Sequence, residues 1–350
     1  MIVPRENVTI YLDNPDKRLL NYYIRNDKVL FPIHPEIFED NRVIFIEELR
    51  KFSFTSIRVS PTASTRTVMT IGTNEVPNHF IKLHYPRRIS RFIRRLKENT
   101  IQNCILASED LENFSLKNFA YFPETIGMTY GSGPDSWGFI IREFMPRPNL
   151  EKRFLIPLFS LYSKDLNHSD DLPLLIQIIQ FLNEDPKTFT FNHIMNPIIQ
   201  IWCSALKERG LVFEMHGQNT LLELDRRLLP SRIVYRDLDV YVDPKIREKQ
   251  QLHLRFPKSH SITQENRENI YSLQYDAFIG HHLFDYLSSL LERFYGIDPK
   301  TIQASCKDTF HKFFPDANLY FKNRTFYYMN EILSENKQKI VETNDPPTWR

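Results

Sequence analysis

Glycine and cysteine are scarce in this chain, with 9 glycines and 3 cysteines among 350 residues. A glycine-rich phosphate loop needs closely spaced glycines between a strand and a helix. The pair Gly131 and Gly133 lacks that context and reads as a turn. Cys104, Cys203 and Cys306 are scattered and form no CxxC pair. That excludes a disulfide framework and a cysteine zinc site, and it fits a reducing, cytoplasmic setting. Long apolar runs are also missing. The most apolar stretch, Leu172 to Leu182, is too short for a bilayer and is interrupted by Pro173, Gln177 and Gln180. The opening MIVPRENVTIYLDNPDK has no basic start followed by an apolar run, so it does not read as a signal peptide. A net charge of +2 lacks the excess that a general nucleic-acid or membrane binder carries.

What is present is an ordinary globular composition, 41% hydrophobic and 25% charged, on a chain long enough for a sizeable core. The first half is rich in short β-branched and aromatic segments, FTSIRVS, TRTVMTIG, HFIKLHY and WGFIIREF, separated by turn residues. The polar run SKDLNHSDD places a boundary near residue 165. The second half reads as more helical. Helices are predicted over Leu174 to Asn183, Pro197 to Arg209 with Gly210 as stop, Ile270 to Tyr295 and Thr325 to Val341. Leu211 to His216 reads as a strand, and residues 343–350 as a disordered tail. The expected fold class is α+β, with a β-rich domain over 1–165 and a mainly helical one over 166–342.

Three constellations carry possible chemistry. In SPTASTRT, the hydroxyls of Thr62, Ser64, Thr65 and Thr67 cluster around Arg66. Neutral donors beside a planar guanidinium suit a phosphate, although Ser/Thr-rich turns with a surface arginine are common. In HFIKLHYPRRISRFIRRL, strand alternation sets Phe80, Lys82 and His84 on one face and Ile81 and Leu83 on the other. Ser90 is predicted to cap a following helix, and Arg87, Arg91 and Arg94 would form one stripe if that helix began earlier. Such cations suit a triphosphate or form a plain solvated basic face. In EMHGQN, Glu214 and His216 would share a strand face before a tight turn at Gly217. In YRDLD, Asp237 and Asp239 would share another. This oxygen-rich set suits Mg²⁺ and not zinc; a hydrogen-bonded turn beside an acidic strand face is the other reading. His281 and His282 point about 100° apart on a helix and suit packing or a single polar contact rather than a metal.

Taken in order, these segments resemble the IucA/IucC family of NRPS-independent siderophore synthetases. PIHPEIFE (32–39) is similar to the family's PVHPWQ segment, STRT (64–67) to its SxRT, and Lys82-Leu83, Ile89-Ser90 and Arg94 to its KL…IT…R pattern. IIREF is similar to an Arg-Glu strand of the family, EMHGQN to its EaHxQN, YRDLD to its RDxxg or RDxD, and HHL (281–283) to its NHL. YFKNRTFYYM (320–329) faintly resembles its Lys-containing C-terminal helix. The resemblance implies a cupped hand with β-rich fingers and a more helical palm, here without the thumb, because nothing before Pro32 matches the family's GHPxHPxxKxRxG motif. It implies ATP and Mg²⁺ as cofactors, and a carboxylic acid such as citrate activated as an acyl-adenylate for an amine, hydroxylamine or alcohol. By residue, it implies Ser64, Arg66, Thr67, Lys82 and Arg94 on the phosphates, His216, Gln218 and Asn219 lining the ATP site, and Glu214, Asn219 and Asp237 on Mg²⁺, with Asp239 nearby. Lys82, Arg94 and His216 are the candidates for stabilising the reacting groups. A homodimer or a partner chain would supply the missing N-terminal region, and a reduced, non-catalytic relic is the alternative. A kinase-like phosphotransferase, resting on the order His216, Asn219, Asp237, lacks its glycine-rich loop.

Overall fold

The computed structural model describes residues 1–39, 47, 50–89, 92–131, 136–150, 153–329, 339–343 and 345–350. The chain forms two compact units. One holds Met1–Asn113, Phe122–Arg147 and Phe256–Ser259; the other holds Phe114–Tyr121, Pro148–Arg255 and His260–Arg350. The expected cut at residue 165 therefore falls inside the second unit. Short returns of chain at 114–121 and 256–259 make both units discontinuous, which local composition does not reveal.

The first unit is built on a six-stranded antiparallel sheet in the order Val8–Leu12, Glu124–Tyr130, Trp137–Glu143, His79–Leu83, Thr67–Thr70 and Val59–Pro61. The β-branched and aromatic segments of the first half supply its last four strands, as their composition predicts. Ile81 and Leu83 join Phe31, Ile126, Met128, Phe139 and Ile141 in the core. Helix Glu98–Leu111 lies over the sheet. It comes so close at Gly138 that a Cβ there would sit 2.7 Å from Ile101 Cδ1 and 1.9 Å from the carbonyl oxygen of Met128.

The helix expected after Ser90 does not form. Arg88–Ile89 and Phe92–Ile93 pair as a small hairpin, and Arg94 N donates to Arg87 O at 3.2 Å. Ser90 and Arg91, like Gly133, lie outside the described residues. The β-branched and aromatic pairs on either side favour extended backbone, and the helix starts instead at Glu98.

The second unit holds a four-stranded sheet, Phe119–Tyr121, Pro230–Tyr235, Thr220–Leu224 and Phe154–Pro157. Its first pair is parallel and the others antiparallel. Helices surround it. Leu174–Leu182 ends on Asn183 in the left-handed region. Asn196–Ser204 widens into a π-helical stretch, Ala205–Arg209, that stops at Gly210. The long helix expected over 270–295 runs as Arg267–Ser272, a π-helical Leu273–Phe284, and Asp285–Tyr295. Pro299–Phe313 adds a helix that Asp298 caps through Lys300 N. Buried Trp202 anchors the helical core, with its ring against Tyr271, Tyr275 and Phe321.

Two expectations fail at the C-terminal end. Thr325–Met329 and Lys339–Thr343 form an antiparallel pair where the pattern predicts one helix. The run TFYYM has strand-forming side chains, and cross-strand contacts outweigh a weak helical period. Nor do residues 345–350 behave as a disordered tail. Trp349 is buried, donates from Nε1 to Asp285 at 2.8 Å and packs on Phe284. The Arg350 guanidinium lies 2.9 Å from Asp276 and over the ring of Phe321.

Candidate functional site

The hydroxyl–arginine segment and the strand lysine meet in the first unit. Thr67 stands directly opposite Lys82 in the antiparallel register. Ser64 Oγ is 3.4 Å from Thr67 Oγ1. Thr62 Oγ1 holds the turn, accepting from Ser64 N at 3.1 Å and donating to Thr67 O at 2.7 Å. Arg66 donates from Nη1 to the carbonyl of Arg94 at 3.3 Å, and its own carbonyl accepts from Leu83 N. All five residues assigned to phosphates thus belong to one neighbourhood. The route differs from the expected one, because Arg94 arrives from the hairpin and not from a helical stripe.

Lys82 is buried in the middle of the sheet, and His84, two residues on, is buried as well. Burial lowers the His84 pKa to about 4, and the nearby charges of Arg66, Arg95 and Lys97 push it the same way. The imidazole is therefore neutral at physiological pH and sits in strongly electropositive surroundings. Arg95 and Lys97 do not stand out in the sequence, where they are two of many basic residues.

The acidic set belongs to the second unit. Glu214 to Asn219 do not extend the strand, which covers only Leu211–Val212. They form a loop and turn in which Asn219 N and Thr220 N donate to His216 O. Gln218 N donates to His216 Nδ1 at 3.1 Å, and His216 Nε2 lies 3.5 Å from Glu214 Oε1. Gly217 is required by close approach, since a Cβ there would sit 2.7 Å from Tyr162 Oη and 2.9 Å from Phe159 N. The expected shared strand face is replaced by a tight turn that gathers these groups into one small volume.

YRDLD likewise leaves the sheet after Tyr235. Asp237 has φ +74°, the left-handed region that costs a non-glycine residue roughly 1–2 kcal/mol. Such strain persists where surrounding contacts impose it, and it clusters at functional positions. Arg236 supplies part of that constraint. Its N donates to Asn219 O at 2.9 Å and its Nε to Gln218 O at 3.0 Å, so the two motifs are tied together. Glu214 N in turn donates to Tyr235 Oη at 3.1 Å.

Tyr241–Val242 pairs antiparallel with Leu211–Val212. The Tyr241 hydroxyl reports both charges: burial raises its pKa first, then Glu214 and Asp239. Tyr328 is raised by burial and by its neighbours Tyr241 and Glu214. Asp239 accepts from His260 Nε2 at 3.0 Å. Sequence reasoning misses Arg236, Tyr241, His260 and Tyr328, since none lies in a motif position that chemistry alone singles out. His281 contacts Asp285, and His282 contacts Tyr327.

Among the described residues, no group of three or more His, Cys, Asp or Glu side chains is placed to hold a metal. The set Glu214, Asn219 and Asp237 offers two carboxylates and one amide. That fits Mg²⁺, which usually takes one or two carboxylates and fills its shell with water and phosphate oxygens. The cavities of about 490 Å³ near Lys207 and Lys312, 390 Å³ near Asp285 and Trp349, and 280 Å³ near Phe38 and Phe54 contain none of the candidate residues. Among the described residues no helix is long and apolar enough to cross a membrane.

The α+β fold is that of the siderophore synthetases whose motifs the sequence resembles. The petrobactin biosynthesis protein AsbB from Bacillus anthracis matches 99% of this chain and 67% of its own, with a TM-score of 0.71 and 16% identity. ATP-bound aerobactin synthetase IucA from Klebsiella pneumoniae matches 93% of this chain and 64% of its own, with a TM-score of 0.72 and 13% identity. Aerobactin synthetase IucC from the same organism matches 91% and 62%, with a TM-score of 0.66 and 17% identity. The chain thus spans roughly two thirds of the length of these structures. A family model described as ferric iron reductase FhuF-like transporter matches residues 191–319. No curated protein matches the chain.

Proposed function

We propose that this chain uses ATP and Mg²⁺ to activate a carboxylic acid, citrate or a related acid, for condensation with an amine, hydroxylamine or alcohol in siderophore biosynthesis. The observation that supports it most is the fold shared with siderophore synthetases over more than nine tenths of the chain, one of them bound to ATP. The motif residues add the chemistry. A substrate carboxylate oxygen attacks the α-phosphorus, the bond to pyrophosphate breaks, and pyrophosphate leaves. The nucleophile then forms its bond to the acyl carbon as the bond to AMP breaks. Both steps gather negative charge. Ser64, Arg66, Thr67, Lys82 and Arg94 would offset it at the phosphates, and His216, Gln218, Asn219 and Asp239 would border the nucleotide. Glu214, Asn219 and Asp237 would hold Mg²⁺, which screens the phosphate oxygens when bound.

The FhuF-like match carries a second reading, electron transfer to ferric iron. An iron–sulfur centre of the four-cysteine kind does not fit, because the chain has three cysteines and all are buried.

The test is incubation of the protein with ATP, Mg²⁺, citrate and a polyamine or hydroxamate-forming amine. AMP and pyrophosphate are expected. ADP would instead indicate a phosphotransferase, and bound but unreacted ATP a non-catalytic nucleotide-binding module. Repeating the assay with a homologous N-terminal region added in trans tests the partner-chain arrangement, and sedimentation tests the homodimer. Fractionation of the producing cell checks the cytoplasmic setting.

A further inference from the structure

The segment that follows His260 runs alongside the acidic motif rather than away from it. Ser261 bridges Val242 in parallel, and Ile262 N donates to Val242 O at 2.7 Å. Val242 is also the partner of Leu211 on its other side. Three pieces of chain remote in sequence are thereby laid side by side: Leu211–Val212 just before EMHGQN, Tyr241–Val242 just after YRDLD, and the stretch at 261–262. His260 emerges where the third meets the second. Its side chain is largely buried, and it donates from Nε2 to Asp239 Oδ1 at 3.0 Å.

An aspartate on an irregular stretch after a left-handed residue has rotamer freedom that a carboxylate aimed at a ligand cannot keep. A half-buried imidazole N–H removes that freedom, as outer partners do for the inner ligands of metal and phosphate sites. Asp239 and Glu214 both act on the Tyr241 hydroxyl, and the tie to His260 fixes one of the two.

We propose that His260 is a positioning residue of the nucleotide–metal site, holding the Asp239 carboxylate in place. This rests on the proposed Mg²⁺–ATP reading. His260 touches neither substrate nor cation and acts only through Asp239. The effect belongs to the cation-loaded nucleotide, since a carboxylate helps a bound cation and repels bare phosphates.

The experiment is calorimetric titration of ATP, with Mg²⁺ and with EDTA, into the full chain and its variants, alongside melting curves. His260→Ala should weaken Mg²⁺–ATP binding about tenfold, within the range seen for loss of such outer partners, and leave metal-free ATP binding unchanged. His260→Gln, whose amide can reach the Nε2 position, should restore most of the affinity. Asp239→Ala combined with His260→Ala should be no weaker than Asp239→Ala alone. Equal weakening with and without Mg²⁺, full additivity, or no change in His260→Ala would overturn the inference. A wild-type chain that binds no Mg²⁺–ATP overturns the function reading itself, and the inference with it. The wild-type titration therefore tells the two failures apart.

Discussion

Arg66 and Arg94, 28 residues apart, are joined by a hydrogen bond from the guanidinium of one to the backbone carbonyl of the other, at 3.3 Å. The Arg66 guanidinium is thereby fixed against the backbone that follows the hairpin, in the neighbourhood of buried Lys82.

Removing a cation from that neighbourhood should act on turnover more than on folding. Lys82→Ala and Arg66→Ala are each expected to lower the rate of pyrophosphate release by about 10²–10³, by analogy with loss of one donor to a developing anion. Continuous pyrophosphate detection at saturating ATP measures this. An unchanged rate in Lys82→Ala would remove the lysine from the phosphate set.

Asp237 combines a strained backbone with a proposed metal role, and two substitutions separate them. Asp237→Gly should relieve roughly 1–2 kcal/mol of left-handed strain while abolishing the Mg²⁺ dependence of ATP binding. Asp237→Asn should keep more of the backbone's preference and lose the same Mg²⁺ dependence. Titrating Mg²⁺ at fixed ATP checks both.

Stability should fall with acid in a way traceable to His84. The imidazole stays neutral in the fold down to about pH 4, chiefly because it is buried, whereas its ordinary value is 6.5. The unfolded chain binds the extra proton between those values. The His84 contribution is therefore complete above about pH 6.5 and is lost as pH falls toward 4, by on the order of 3 kcal/mol in all. Urea unfolding at neutral pH and at about pH 5 should show the drop, and His84→Gln should flatten it.

Gly138→Ala should be strongly destabilising, by on the order of 3 kcal/mol, because the added methyl meets backbone at Met128 as well as Ile101. Trp349→Ala should cost a similar amount, within the roughly 3–5 kcal/mol typical of buried tryptophan truncation. Thermal melts of both variants measure this. A melt of Trp349→Ala that matches wild type would mean that the C-terminal residues do not dock in solution.

Local sequence was enough wherever the deciding interaction was local. The strands around Lys82 and Trp137 are written in β-branched and aromatic residues, and the helix stop at Gly210 in a single residue type. Residue types suited to phosphates and Mg²⁺ can also be picked out of the sequence, and their role here is the proposal above. Tertiary structure decided the rest. Strand pairing turned TFYYM into a hairpin arm, and Asp285 with Asp276 captured Trp349 and Arg350 from an apparently polar tail. Pairing of Leu211–Val212 with Tyr241–Val242 and a parallel bridge from Val242 to Ser261 brought His260 to Asp239. Composition and spacing act over a few residues, whereas pairing and burial join segments whose separation along the chain leaves no local trace.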